Sequence, residues 1–153
     1  MKSLNGEYKI TLDDKGRLSL PSKLRAALED QVYMLTKGPD GCLLLYPMEE
    51  WDTLMEKVRN FSTAFSAEFR ALRRRLIGPA QDVELDKAGR IPIPQTLREY
   101  AELVRDCIVL GQDDYIEIWN ADRHRRYDEA SGEDVNIAYE KLDQALRSGK
   151  GGQ

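Results

Sequence analysis

Along the first fifty residues the apolar positions recur with period two, switch to a helical period, and return to two. Tyr8, Ile10 and Leu12 alternate with Lys9 and Thr11, the pattern of a half-buried strand. Asp13-Asp14-Lys15-Gly16 follows. An aspartate able to accept from backbone N–H groups ahead of it, and a glycine free to take positive φ, predict a tight, hairpin-like reversal. Arg17-Leu18-Ser19-Leu20 resumes the alternation, and Pro21 suits the first turn of a short helix with Leu24, Ala27 and Leu28 on one face. VYMLT (32–36) and CLLLY (42–46), joined by KGPDG (37–41), predict a further strand pair.

The same order then returns. LDDKGRLSLPSKLR (12–25) reappears seventy-three residues on as LDKAGRIPIPQTLR (85–98), and CIVL (107–110), GQDD (111–114) and YIEIW (115–119) supply a second strand pair. The register slips by two residues in the helix and recovers after the loop, so that Tyr46 aligns with Trp119 at the original spacing. Recovery of register favours duplication over coincidence. A copy of roughly 45 residues buries too little apolar surface to offset chain entropy by itself. Two copies sharing one core are therefore expected, in a pseudo-two-fold arrangement that presents the two turns in related positions.

Between the copies, Trp51, Leu54, Met55 and Val58 recur at helical spacing, and Phe61, Phe65, Phe69, Leu72 and Leu76 continue the stripe. A break is expected within 60–68, with Ser66 capping a second helix and Gly78-Pro79 ending it. Aromatic residues at this spacing belong to a core or to a partner-subunit contact. After Trp119, a short helix capped by Asn120 is expected, then a terminal helix over 135–146 with Ala138, Leu142, Ala145 and Leu146 on one side, then a frayed end at 148–153. His124 occupies the place Trp51 holds in the first copy, which assigns it a packing or surface role. The organisation expected is thus a first repeat domain (7–50), a helical connector (51–79), a second repeat domain (80–123) and a C-terminal helical segment with tail (124–153).

Composition narrows the class. At 41% hydrophobic and 33% charged residues the chain is of soluble globular type, and no apolar run nears the ~18 residues that span a bilayer. The N-terminus lacks an apolar leader segment, so a cytosolic protein with no membrane partner is expected. Cys42 and Cys107 sit in apolar stretches without a metal-binding spacing and read as small buried hydrophobes; no metal or cofactor is expected. The net charge of -4 is misleading: residues 113–153 carry ten acids and six bases, the entire deficit, while residues 1–112 carry seventeen of each. Both repeated blocks are locally basic, and so is the segment holding Arg70, Arg73, Arg74 and Arg75. A basic face can bind a polyanion whatever the total charge.

The repeated block shares the signature Asp-x-x-x-Arg, as Asp13/Arg17 and Asp86/Arg90, with Gly16 and Gly89 just before the arginines. Two related aspartates suggest a protease dyad, but the successors Asp14-Lys15 and Lys87-Ala88 are wrong for one. No phosphate loop is present, and Ser19 has Pro92 as its counterpart, so neither nucleotide hydrolysis nor a serine nucleophile is supported and no enzyme is expected. Asp13, Gly16, Asp86 and Gly89 read chiefly as turn-shaping residues. Arg17 and Arg90 differ: a guanidinium beside an exposed turn suits phosphate oxygens or guanine O6 and N7. Lys15 and Lys87 are phosphate-directed neighbours. Arg25 and Arg98 stand either as further DNA contacts or as solvated residues, and the 70–75 cluster as a solvated helix face, a subunit contact or a DNA contact.

The doubled LDxKGRLxLP…LR block, with CLLLYPMEEW after the first copy, YIEIW after the second and GPAQDVELDKAGRIPIP between, closely resembles the MraZ family of tandem SpoVT-AbrB domains. The resemblance spans about residues 5–125. It implies an α+β fold with a mainly β core, a double-split β-α-β, swapped-hairpin AbrB-like barrel built by both repeats and flanked by helices. It implies a nucleoid-associated, DNA-binding transcriptional regulator of the division and cell-wall cluster, acting on direct repeats in its own promoter and assembling into ring-like homo-oligomers. It also places Arg17 and Arg90 as the DNA contacts. A protein-interaction module of the AbrB-like antitoxin type is the alternative. The second copy reads DKAG where the first reads DDKG, so Lys87 is displaced by one position from Lys15.

Overall fold

The computed structural model describes residues 3–28, 31–61 and 66–149. Phe65, much of the expected break and the last four residues lie outside them. Each copy folds as strand, turn, strand, short helix, strand, turn, strand. The first contributes β1 (Glu7–Thr11), β2 (Arg17–Ser19), α1 (Ser22–Ala27), β3 (Val32–Lys37) and β4 (Leu43–Pro47); α2 (Met48–Phe61) and α3 (Ala67–Leu76) follow. The second contributes β5 (Gln81–Glu84), β6 (Arg90–Pro92), α4 (Gln95–Ala101), β7 (Asp106–Gly111) and β8 (Ile116–Asn120), before α5 (Ala121–Ala130) and α6 (Gly132–Arg147). Residues up to Ala121 form one compact unit, and those from Asp122 a second consisting of most of α5 and all of α6. Among the described residues no helix is long and apolar enough to cross a membrane.

The strands pair across the copies. A six-stranded antiparallel sheet runs β1-β7-β8-β4-β3-β5, and β2 and β6 form a separate two-stranded ribbon. β1 of the first copy lies on β7 of the second, β5 of the second lies on β3 of the first, and the middle of the sheet joins β4 to β8. Exchanging the copies leaves this pairing scheme unchanged. Leu18 faces Ile91 in the ribbon and Leu44 faces Glu117 in the sheet, and both are pairs of equivalent residues, so the pseudo-dyad runs through them. One sequence expectation is adjusted. Tyr33 faces Pro47 and Cys107 faces Asn120, which makes Tyr33 and Cys107 equivalent and the slip one residue, not two.

The expected closed barrel is not formed. The large sheet ends at β1 and β5, and β2 and β6 stay outside it. Pro21, Pro92 and Pro94 bound these two strands, and a proline offers no N–H with which to lengthen a ladder.

Side-chain alternation explains the core. Leu43 and Leu45 of β4 point to one face of the sheet, with Val109, Ile116, Ile118, Leu18, Ile91, Leu24 and Leu97. Leu44 and Tyr46 point to the other, with Trp51, Met55, Val58, Leu76, Ile108 and Trp119. Central strands buried on both faces need an unbroken apolar run, hence CLLLY and CIVL. Tyr46 stacks on Tyr115 at 4.9 Å and meets the Trp51 ring edge at 5.8 Å. The Ser66 hydroxyl caps α3 by accepting from Phe69 N at 3.3 Å. Among the described residues, Phe61 (74% exposed) and Leu72 (40% exposed) of the expected stripe do not join the core, and Leu72 instead borders an open hollow beside Leu44, Tyr46 and Tyr115. Cys42 and Cys107 are buried free thiols; desolvation raises both, Cys107 to about 11.

Candidate nucleic-acid interface

Each turn is shaped by a single carboxylate. Asp13 Oδ1 accepts from the backbone N–H of Lys15 at 2.9 Å and of Arg17 at 2.8 Å, while Oδ2 accepts from Arg17 Nε at 2.7 Å. Asp86 repeats the scheme with Ala88 N (2.9 Å), Arg90 N (2.9 Å) and Arg90 Nε (3.0 Å). Backbone bonds from Gly16 N to Asp13 O and from Asp13 N to Arg17 O close the first turn, and Gly89, Asp86 and Arg90 close the second alike. Gly16 at φ 76° and Gly89 at φ 79° hold the left-handed conformation that glycine alone adopts without strain. The Arg17 backbone N–H, aided by its guanidinium and by the Lys15 N–H, lowers the Asp13 carboxyl below its ordinary value, against a smaller opposing effect of desolvation. The Arg90 N–H does the same for Asp86.

The aspartate takes one of five guanidinium donors and fixes the plane of the rest. In the ribbon, Arg17 lies opposite Pro92 and Arg90 opposite Ser19, while Leu18 and Ile91 point into the core. Arg17, Ser19, Arg90 and Pro92 therefore share the outward face, the two arginines on a diagonal. Strand geometry puts their Cα atoms about 8 Å apart. Ser19 and Pro92 are members of this exposed face that sequence reasoning missed. Alternation places each beside its arginine, but only the β2–β6 pairing joins them on one surface.

The lysines take different positions. Lys15 occupies the third place of its turn, where Ala88 stands in the second copy, and Lys87 occupies the second place, held by Asp14 in the first. Both are exposed. Arg25 and Arg98 lie across the pseudo-dyad from their own turns. Arg25 Nε donates to Leu20 O at 3.0 Å, and its guanidinium lies over Gly89; Arg98 Nη1 donates to Ile93 O at 2.9 Å, and its guanidinium lies over Gly16. Of the α3 cluster, Arg75 lies over the Tyr100 ring at 5.5 Å and donates from Nη1 to Tyr100 Oη at 3.4 Å, while Tyr100 Oη donates to Gly38 O at 2.7 Å. His124 is half-buried on α5.

A family model described as "MraZ protein, putative antitoxin-like" matches the chain twice, over residues 4–74 and 76–144. A protein named transcriptional regulator MraZ from Treponema denticola is 41% identical over 139 residues, covering 91% of this chain and 96% of the relative. Its namesake from Treponema pallidum (strain Nichols) is 44% identical over 140 residues, covering 92% and 94%. One from Symbiobacterium thermophilum is 40% identical over 137 residues, covering 90% and 98%. Each match of the family model contains one of the two copies, the first with Asp13/Arg17 and the second with Asp86/Arg90, and the chain belongs to the MraZ family.

Proposed function

We propose that this protein is a sequence-specific DNA-binding transcriptional regulator, with the outward face of the β2–β6 ribbon as its reading surface. The observation that carries the reading is the paired Asp-Arg turn: two guanidinium groups, each oriented by a carboxylate, on one diagonal of a ribbon whose pseudo-dyad passes between them. A two-stranded ribbon fits the major groove, and Arg is the commonest side chain to pair with guanine O6 and N7. Lys15 and Lys87 approach flanking phosphates. The names of the relatives support the regulatory role.

One ribbon supplies few contacts. A ring-like homo-oligomer presenting several ribbons would engage successive direct repeats in the protein's own promoter, ahead of the division and cell-wall cluster, and convert weak contacts into avidity. Such a regulator works in the cytoplasm on the nucleoid. The family description "antitoxin-like" favours a second reading, in which the same scaffold is an oligomeric module that binds a protein.

Binding to duplex DNA from upstream of the gene, measured over a salt series, separates the two. Replacing Arg17 and Arg90 with alanine is expected to weaken binding at least ~tenfold and, where both touch phosphate, to reduce the salt slope by about two. Unchanged affinity and slope would sink the reading. A stoichiometric protein complex without specific DNA retention would favour the antitoxin-type module.

A further inference from the structure

We infer that Arg25 and Arg98 are positioning residues that act crosswise, each clamping the turn of the other copy. The inference rests on the reading of Arg17 and Arg90 as the DNA contacts and names what holds them. Gly16 and Gly89 are buried although the turns around them are exposed. A Cβ built on Gly16 would lie 2.5 Å from Arg98 Cζ, and one built on Gly89 would lie 2.7 Å from Arg25 Cζ. Each guanidinium thus occupies the space over a glycine that any other residue would fill with its own side chain.

The backbone completes the clasp. Leu20 N donates to Gly89 O at 3.0 Å, and Leu20 O accepts from Arg25 Nε; Ile93 N donates to Gly16 O at 2.9 Å, and Ile93 O accepts from Arg98 Nη1. Each arginine is therefore bonded to the residue whose N–H grips the opposite turn, and covers that turn as well. Arg98, eight residues beyond Arg90 in sequence, sets the place of Arg17; Arg25, eight beyond Arg17, sets the place of Arg90. The planar fork is needed for this, because an ammonium cannot lie flat on a glycine while donating sideways.

Amide hydrogen exchange of the free, full-length protein tests the clasp without DNA. Arg98→Ala is expected to speed exchange about tenfold at Lys15, Gly16 and Arg17 and to leave Ala88, Gly89 and Arg90 within about twofold of the parent, with Arg25→Ala giving the mirror image. Arg98→Lys, which keeps the charge, is expected to behave as Arg98→Ala. Acceleration at the variant's own turn, at both turns equally or at neither would overturn the inference, as would full protection in the lysine variant.

On upstream duplex DNA, Arg98→Ala is expected to weaken binding several-fold at unchanged salt slope, non-additively with Arg17→Ala and additively with Arg90→Ala. A salt slope reduced by about one, with exchange unaltered, would make Arg98 a phosphate contact and overturn the clasp. Should Arg17→Ala leave DNA binding intact, the DNA reading fails, and the exchange pattern still decides the clasp.

Discussion

At Asp13 and Asp86, one carboxylate fixes both the backbone of a turn and the side chain of an arginine. The Arg17 and Asp13 side chains are 30% and 29% exposed and those of Arg90 and Asp86 34% and 37%, so solvent screens the ion pairs and their main effect is orientation. They still leave a trace in the pH dependence of folding. Both carboxyls are depressed in the folded state, chiefly by the N–H of the following arginine. Over the interval between the folded and the ordinary value the unfolded chain binds more protons, so stability rises with pH there. Their contribution is complete above the ordinary carboxylate value of about 4 and is lost as pH falls through the depressed one. Asp13→Asn with Asp86→Asn keeps an oxygen for the turn amides and removes the charge. Thermal unfolding followed between about pH 2 and 5 should show a shallower acid limb in this variant than in the parent; an identical limb would assign the acid sensitivity to other carboxylates. This part of the site was legible in the sequence because every partner of Asp13 lies within four residues of it. The placement of Arg25 and Arg98 was not, because each touches a turn more than sixty residues away, and no local pattern encodes that distance.

Between elements, period and pairing part company. Alternation along β1 and β2 gave their faces, and the turn chemistry between them gave the reversal, yet the two strands form no ladder with each other: β1 joins β7 and β2 joins β6. Periodicity says which side of a strand is buried and nothing about which strand lies beside it. The same holds for Phe61 and Leu72, whose helical spacing continues the stripe of Trp51 and Met55 but which stay exposed. What ties α3 to the sheet includes a contact no spacing reveals. Thr36, fully buried on β3, donates its hydroxyl to Leu76 O at 2.6 Å, satisfying a carbonyl at the end of the helix. Thr36→Val conserves shape but strands that carbonyl in an apolar layer, and should cost about 1–3 kcal/mol. A lower denaturant midpoint at unchanged slope is the expected result, with Thr36→Ser losing less. Equal stability of valine variant and parent would mean that the carbonyl is satisfied otherwise.

Across the whole molecule, the pseudo-dyad determines what can fold alone. Every strand of the first copy except the β3–β4 pair finds its partner in the second: β1 needs β7, β2 needs β6, and β3 and β4 need β5 and β8 on their outer sides. The first half without the second would expose Leu18, Leu20, Leu24, Leu35, Leu43 and Leu45, the very residues that meet Ile91, Leu97, Val109, Ile116 and Ile118 in the shared core. So small a unit with an open sheet and half a core has no means of offsetting its chain entropy. Dividing the chain between Phe61 and Ser66 should therefore give two fragments with no folded monomer, read by circular dichroism and sedimentation velocity, and an equimolar mixture should regain the spectrum of the intact protein. Because the copies are related by a dyad, a fragment can also pair with a second molecule of itself, laying β1 on the β3 of its neighbour where β7 belongs. Such a species would be a dimer whose structure melts on dilution, and it would dissolve in favour of the mixed pair when the other fragment is added. A fragment that is folded and monomeric at high dilution is the outcome that would break the argument, since it would show that one copy closes a core without the other and that the crossing of strands is dispensable. If the crossing is indispensable, the two arginine-bearing turns are set at one fixed separation by the fold itself, and no linker movement can change the spacing between Arg17 and Arg90.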